Sequence, residues 1–179
     1  MRARSNEGFT LLELLIVVAI IGIIAAIAVP GLLRARVAGN EASAIGSLRA
    51  INSAQQAFSA SCANGFYAAD LTDLYIAPLG GTPFISPDLG AADVVEKSGY
   101  SVTMAGEDPT NPAVLPACNG IAGADLDMGY YATAAPITAP MTGVRFFWTN
   151  TLGTIYADTA AIADTVVNAP PAAGPMPLQ

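Results

Sequence analysis

The sequence of 179 residues contains no histidine, only two cysteines and one tryptophan, and charged residues make up just 12% of it. Without histidine there is no Ser-His-Asp or Cys-His catalysis and no imidazole ligand for a metal. Cys62 and Cys118 lie far apart and fit no metal-binding or redox spacing. There is no glycine loop of the strand-loop-helix kind that cradles phosphate. Basic residues are also scarce: seven Lys and Arg against fourteen Asp and Glu, a net charge of −7. A nucleic-acid surface needs a basic footprint, so general nucleic-acid binding is excluded. Beyond the N-terminal region, no apolar run approaches the length of a membrane span.

What the chain does have is one long apolar run. From Phe9 to Val29 the only charged residue is Glu13. About 21 residues of helix extend roughly 31 Å, enough to cross the hydrocarbon core of a bilayer. Arg2 and Arg4 precede the run, and basic residues ahead of a first apolar segment hold that end in the cytoplasm. The remainder is then expected on the far side. Glu13 needs an explanation, because a charged carboxylate within a membrane segment costs about 2.5–3.5 kcal/mol or more without a partner. A cut between Gly8 and Phe9 would create such a partner. The new α-amine of Phe9 on one copy could meet Glu13 of the next, each charge making the other tolerable in an apolar bundle.

The stretch Gly8-Phe9-Thr10-Leu11-Leu12-Glu13-Leu14, followed by Leu15-Ile16-Val17-Val18-Ala19-Ile20-Ile21-Gly22-Ile23, resembles the cleavage and methylation signal of type IV pilins and of type II secretion pseudopilins. The likeness extends from about Glu7 to Arg36. In that family a membrane-embedded aspartic peptidase cuts after the glycine and N-methylates the exposed phenylalanine. The resemblance thus implies Gly8 as the last leader residue, Phe9 as the methylated mature terminus and Glu13 as the assembly carboxylate. It also implies a homopolymer as the working form, with the prepilin peptidase and an inner-membrane assembly platform as further partners. The protein would be held in the inner membrane by a single span, head outside the cytoplasm, and then moved into a cell-surface pilus. Without Arg2, Arg4 and Glu7, five basic and thirteen acidic side chains remain. That acidity keeps a crowded filament surface soluble by repulsion.

The expected fold is α+β, the type IV pilin fold: a long N-terminal helix whose C-terminal half packs on a four-stranded antiparallel sheet. Residues 1–8 form the leader, 9–29 the membrane or filament-core half of the helix, 30–61 its amphipathic half, 62–167 the head and 168–179 a loose Pro-rich tail. Pro30-Gly31 interrupts the helix by removing one backbone hydrogen bond and adding a flexible residue, and is expected to act as a kink or hinge. Beyond it Ile45, Leu48, Ile51 and Phe58 form an apolar face. Arg34, Arg36, Glu41, Arg49, Gln55 and Gln56 supply the polar positions. Gly22 and Ala26 make a small-xxx-small pair that lets helices approach.

Cys62-Ala-Asn-Gly65 ends the helix. An extracytoplasmic head favours a Cys62–Cys118 disulfide, with two buried thiols as the alternative. Residues 66–90 form a loop-rich region with one possible helical turn at 70–74. Strands are expected at 99–104, 129–134, 144–149 and 154–157, the last two joined by a hairpin turn at Asn150-Thr151-Leu152-Gly153. Asp125-Leu126-Asp127, or Glu107-Asp108 with Asn111, offer oxygen ligands of the sort Ca²⁺ takes, but without EF-hand spacing they read as solvated loop carboxylates. No metal or cofactor is assigned. Tyr130-Tyr131 and Phe146-Phe147-Trp148 read as strand aromatics rather than a conducting path.

The leading expectation is a structural subunit of a type IV pilus, not an enzyme. A pseudopilin of a type II secretion machine shares the same signal, and an anchored, non-polymerising binding domain is the third reading. An ordinary secretory signal ending at Ala26-Ile27-Ala28, or an uncut single-span anchor, are the plainer explanations of the apolar run. N-terminal sequencing of the protein from membranes separates them. Phe9 as first residue is the expected result; Val29 would mark a secretory signal and Met1 an uncut anchor.

Overall fold

The computed structural model describes residues 8–107, 115–162, 169–171 and 174–178. The chain divides into two compact units, Met1–Arg36 and Val37–Gln179. The elements in order are α1 (Leu11–Ser61), β1 (Tyr67–Ala68), α2 (Leu71–Tyr75), α3 (Pro87–Gly90), β2 (Val94–Lys97), β3 (Tyr100–Glu107), a 3-10 turn (Gly123–Asp125), β4 (Leu126–Asp127), β5 (Gly129–Pro136), β6 (Phe146–Asn150), β7 (Ile155–Asp158) and β8 (Met176–Pro177).

In the first unit the described residues are the start of α1 and the three residues before it. Every residue from Gly8 to Arg36 is exposed. The exposed apolar side chains run from Phe9 to Leu33 and cover all sides of the helix. Among the described residues, α1 is the one helix long and apolar enough to cross a membrane. Pro30 lies inside α1, and Gly31 follows it as a helical residue. The leader residues 1–7 lie outside the described residues.

In the second unit the later part of α1 packs on one face of a sheet. Ala44, Leu48, Ile51 and Phe58 join a core with Tyr100, Val102 and Met104 of β3, Ala132 and Ala134 of β5, and Phe147 of β6. Cross-strand register places these sheet residues on one face: Val102 opposite Ala134, Met104 opposite Ala132, and Ala134 opposite Phe147. Trp148, next to Phe147 and therefore on the other face, is fully buried and packs against Tyr156 at 5.7 Å between ring centroids.

The sheet has six strands rather than four, in the order β2-β3-β5-β6-β7-β8, with all neighbours antiparallel. The four central strands lie where the sequence places them. The two additional ones are edges. β2 is short, and its alternation of exposed and half-buried residues carries a weak apolar signal. β8 falls in the Pro-rich tail that the sequence reading left loose. Pro177 sits opposite Tyr156 on the sheet edge, where a residue without an N–H is tolerated. Of that tail, residues 168, 172, 173 and 179 lie outside the described residues. The expected turn at residues 150–153 is present: the Gly153 N–H donates to the Asn150 carbonyl at 2.8 Å, and Gly153 takes φ +74.

α2 is built as its sequence dictates. Asp70 caps it, accepting from the Asp73 N–H at 3.0 Å, and Leu71 and Leu74 are buried. α1 ends in a turn where Asn64 and Gly65 both take left-handed φ, +54 and +96, and the Gly65 N–H donates to the Ser59 carbonyl at 2.9 Å. Cys62, in that turn, is bonded to Cys118 across 56 residues. Cys118 is further fixed by its N–H to the Cys62 carbonyl at 3.0 Å. A loop of that size contributes about 4 kcal/mol in the chain-entropy account. Reduction should therefore lower the unfolding free energy of the full chain in detergent by roughly 3–4 kcal/mol. Urea titration followed by Trp148 fluorescence, with and without reductant, measures the difference.

Candidate processing and assembly site

The N-terminal site starts with backbone chemistry. The first turn of any helix has N–H groups without intrahelical acceptors. Here Thr10 and Glu13 satisfy two of them reciprocally. The Thr10 N–H donates to Glu13 Oε2 at 3.0 Å, and the Glu13 N–H donates to Thr10 Oγ1 at 3.2 Å. The Thr10 hydroxyl also donates to Glu13 Oε2, at 2.8 Å. The Thr10 carbonyl accepts the first intrahelical bond, from the Leu14 N–H at 3.3 Å. This is a capping box, with Thr10 at the N-cap and Glu13 three residues on. Its signal, Thr-x-x-Glu ahead of an apolar run, is present in the sequence. Gly8 and Phe9 precede the helix and are exposed, Phe9 at 84%. Glu13 thus has partners within its own chain, all from Thr10, on a helix otherwise apolar for several turns.

The other residues singled out by sequence fall elsewhere. Arg34 and Arg36 are exposed, and neither forms an ion pair among the described residues. Asp125 belongs to the 3-10 turn and is exposed, while Asp127 is buried in β4. Asp127 packs so closely on β3 that a Cβ on Gly106 would lie 1.7 Å from its Oδ2, so only glycine fits there. Glu107 ends β3, whereas Asp108 and Asn111 lie outside the described residues. Among the described residues, no group of three or more His, Cys, Asp or Glu side chains is placed to hold a metal ion.

In the second unit a line of buried polar side chains on α1 fastens the helix to the sheet. Sequence periodicity assigned Glu41 and Gln55 to the polar, outward positions. Both are buried, and the head supplies hydrogen-bond partners for each. Glu41 accepts from the Val144 N–H at 3.0 Å and from the Arg145 guanidinium at 2.7 and 2.9 Å. Asn52 donates to Thr149 Oγ1 at 2.9 Å and accepts from the Tyr130 hydroxyl at 3.0 Å. Gln55, fully buried, pairs with both backbone groups of Ala68 like a neighbouring strand, at 2.9 and 3.0 Å.

Two carboxyls in this unit are shifted in opposite directions. Partial burial pushes Glu41 up, but the Val144 N–H and the Arg145 guanidinium together outweigh it and hold the group below its ordinary range. Burial, reinforced by the Asp70 charge and more weakly by that of Asp125, pushes Asp73 up to about 6.

Residues 3–29 match the family described as the prokaryotic N-terminal methylation motif. The match is confined to the N-terminal segment of the chain. Over 53 residues it is 49% identical to the type IV major pilin protein PilA of Myxococcus xanthus. That stretch is 30% of this chain, and it spans only about a quarter, 24%, of the relative's length. No solved structure matches the chain. The pilin-like signature therefore rests on the segment that contains Gly8, Phe9, Thr10 and Glu13, and the α+β head follows it.

Replacing Glu41 by Ala removes a charged partner and leaves two backbone N–H groups and Arg145 unmatched. The full chain in detergent should lose about 2–3 kcal/mol at neutral pH. Because the folded carboxyl is held low, this contribution is complete above the ordinary carboxylate range and is lost as acid protonates Glu41 in the folded head. The gap between the native and Glu41→Ala urea midpoints should accordingly close as the pH falls through and below that range.

Proposed function

We propose that this protein is a structural pilin subunit that polymerises through its N-terminal helix into a type IV pilus, with no catalytic role of its own. The observation that carries the proposal is Glu13: a single carboxylate set in an exposed, otherwise apolar helical surface, the fifth residue after the Gly8-Phe9 junction, within the matched methylation motif. A prepilin peptidase cuts between Gly8 and Phe9. The freed chain stays in the membrane as a single span until it is drawn into a filament whose core is made of copies of the same helix. Thr10 occupies Glu13 Oε2. Glu13 Oε1 then receives the Phe9 amine of a neighbouring copy, which fixes the stagger between subunits. Such a pair is worth most where water is excluded, as in the apolar core of the filament. The exposed Arg34 and Arg36 lie beyond the span and face the acidic heads of neighbouring copies.

The charge is tested separately from the cap. Glutamine three residues after the N-cap still closes a capping box, so Glu13→Gln removes the charge while preserving the helix start. Cells making Glu13→Gln should accumulate processed protein in the membrane and lose surface filaments. Normal filaments from that variant would refute the pairing. Loss of secreted enzymes on deletion of the gene, with no filaments on native cells, would assign the subunit to a secretion machine instead.

A further inference from the structure

We infer that Thr10 is a positioning residue for removal of the leader: its capping box with Glu13 starts the helix at Leu11 and keeps the Gly8–Phe9 peptide outside it, open to a peptidase. The inference rests on the processing proposed above and concerns how this chain presents the bond.

Three observations support it. The Glu13 N–H, which in a helix begun earlier would bond the Phe9 carbonyl, is instead held by Thr10 Oγ1 at 3.2 Å. Among the described residues the first backbone bond of the helix goes to the Thr10 carbonyl, and Gly8, Phe9 and Thr10 are not helical. Thirdly, glycine at position 8 answers no demand of the described fold. No left-handed φ is required of Gly8, and among the described residues nothing lies within 4 Å of where its Cβ would be. A glycine in open space without a conformational reason fits a backbone that another molecule grips closely.

A box at Thr10 matters because the sequence offers a competing start. Asn6 is the nearest upstream residue that caps helices well, and a helix begun there takes Gly8 and Phe9 into its first turn. Peptidases bind main chain through its free N–H and C=O groups, as an added strand pairs with a sheet edge. In helical form the Gly8 carbonyl would bond to the Leu12 N–H and turn away from attack. In the open form water adds across the amide: the Gly8 carbonyl carbon gains the oxygen, the C–N bond breaks, and the products are a Gly8 carboxylate on the leader and a Phe9 ammonium on the chain.

The test uses the full chain in membranes carrying a prepilin peptidase, with cleavage followed by the mass of the chain before and after loss of residues 1–8. Thr10→Val keeps the shape and removes the hydroxyl; Thr10→Ser keeps the hydroxyl. Loss of an N-cap is worth about 1 kcal/mol, so Thr10→Val should be cut about fivefold more slowly than native, and Thr10→Ser within about twofold of it. In detergent micelles, the ¹³Cα shifts of Gly8 and Phe9 should move toward helical values in Thr10→Val alone. Native-rate cleavage of Thr10→Val overturns the inference, as does equal slowing by Thr10→Ser. If the native chain itself is not cut between Gly8 and Phe9, the processing reading falls with it; if the native chain is cut and Thr10→Val is cut equally fast, only the role of Thr10 falls.

Discussion

A helix that is apolar on every side for about six turns has no stable place in water. Everything else about this protein is arranged around that fact. From Phe9 to Leu33 the exposed side chains are nearly all hydrocarbon, a surface suited to lipid or to packing against other apolar helices. In such a medium one carboxylate dominates the energetics. Glu13 is tolerable because Thr10 gives one of its oxygens two donors within the same chain. The capping box thus does two things at once: it completes the first turn of the helix, and it lowers the cost of carrying a charge in an apolar environment.

The second unit solves a different problem with similar means. Its sheet needs a cover, and the later part of α1 supplies one. The contact is not purely apolar. Glu41, Asn52 and Gln55 are buried among Leu48, Ile51 and Phe58, and each finds its partner on a strand or on the chain just before one. Directional bonds of this kind fix the rotation and the axial position of the helix on the sheet, where Leu and Ile alone would allow sliding. Gln55 paired with Ala68 is the clearest case, since it extends the reach of a two-stranded ladder into the helix. The Cys62–Cys118 bond holds the end of the same helix to the loop before β4.

Much of this was legible in one dimension. The α+β architecture, the central strands, the turn at Gly153 and the Cys62–Cys118 pairing all follow from local pattern, turn chemistry and compartment. The edge strands did not, because an edge needs only one neighbour and leaves little periodicity behind: Met176 and Pro177 look like tail until Ala157 and Tyr156 are seen beside them. The site itself was half legible. Glu13 stands out as a lone charge in an apolar run, and Gly8 and Phe9 through the resemblance to the methylation signal, whereas the hydrogen bonds of Thr10 needed the structure.

The sequence alone determined the N-terminal segment, because its properties are those of consecutive residues: unbroken hydrophobicity, one acid, and a capping residue three positions ahead of it. Tertiary structure alone decided which polar residues of α1 turn inward. Glu41 and Arg145 are 104 residues apart, and Asn52 and Tyr130 are 78. Helical periodicity can say that a carboxylate or an amide interrupts an apolar face. Whether it is turned to water or buried depends on partners that only folding brings within 3 Å.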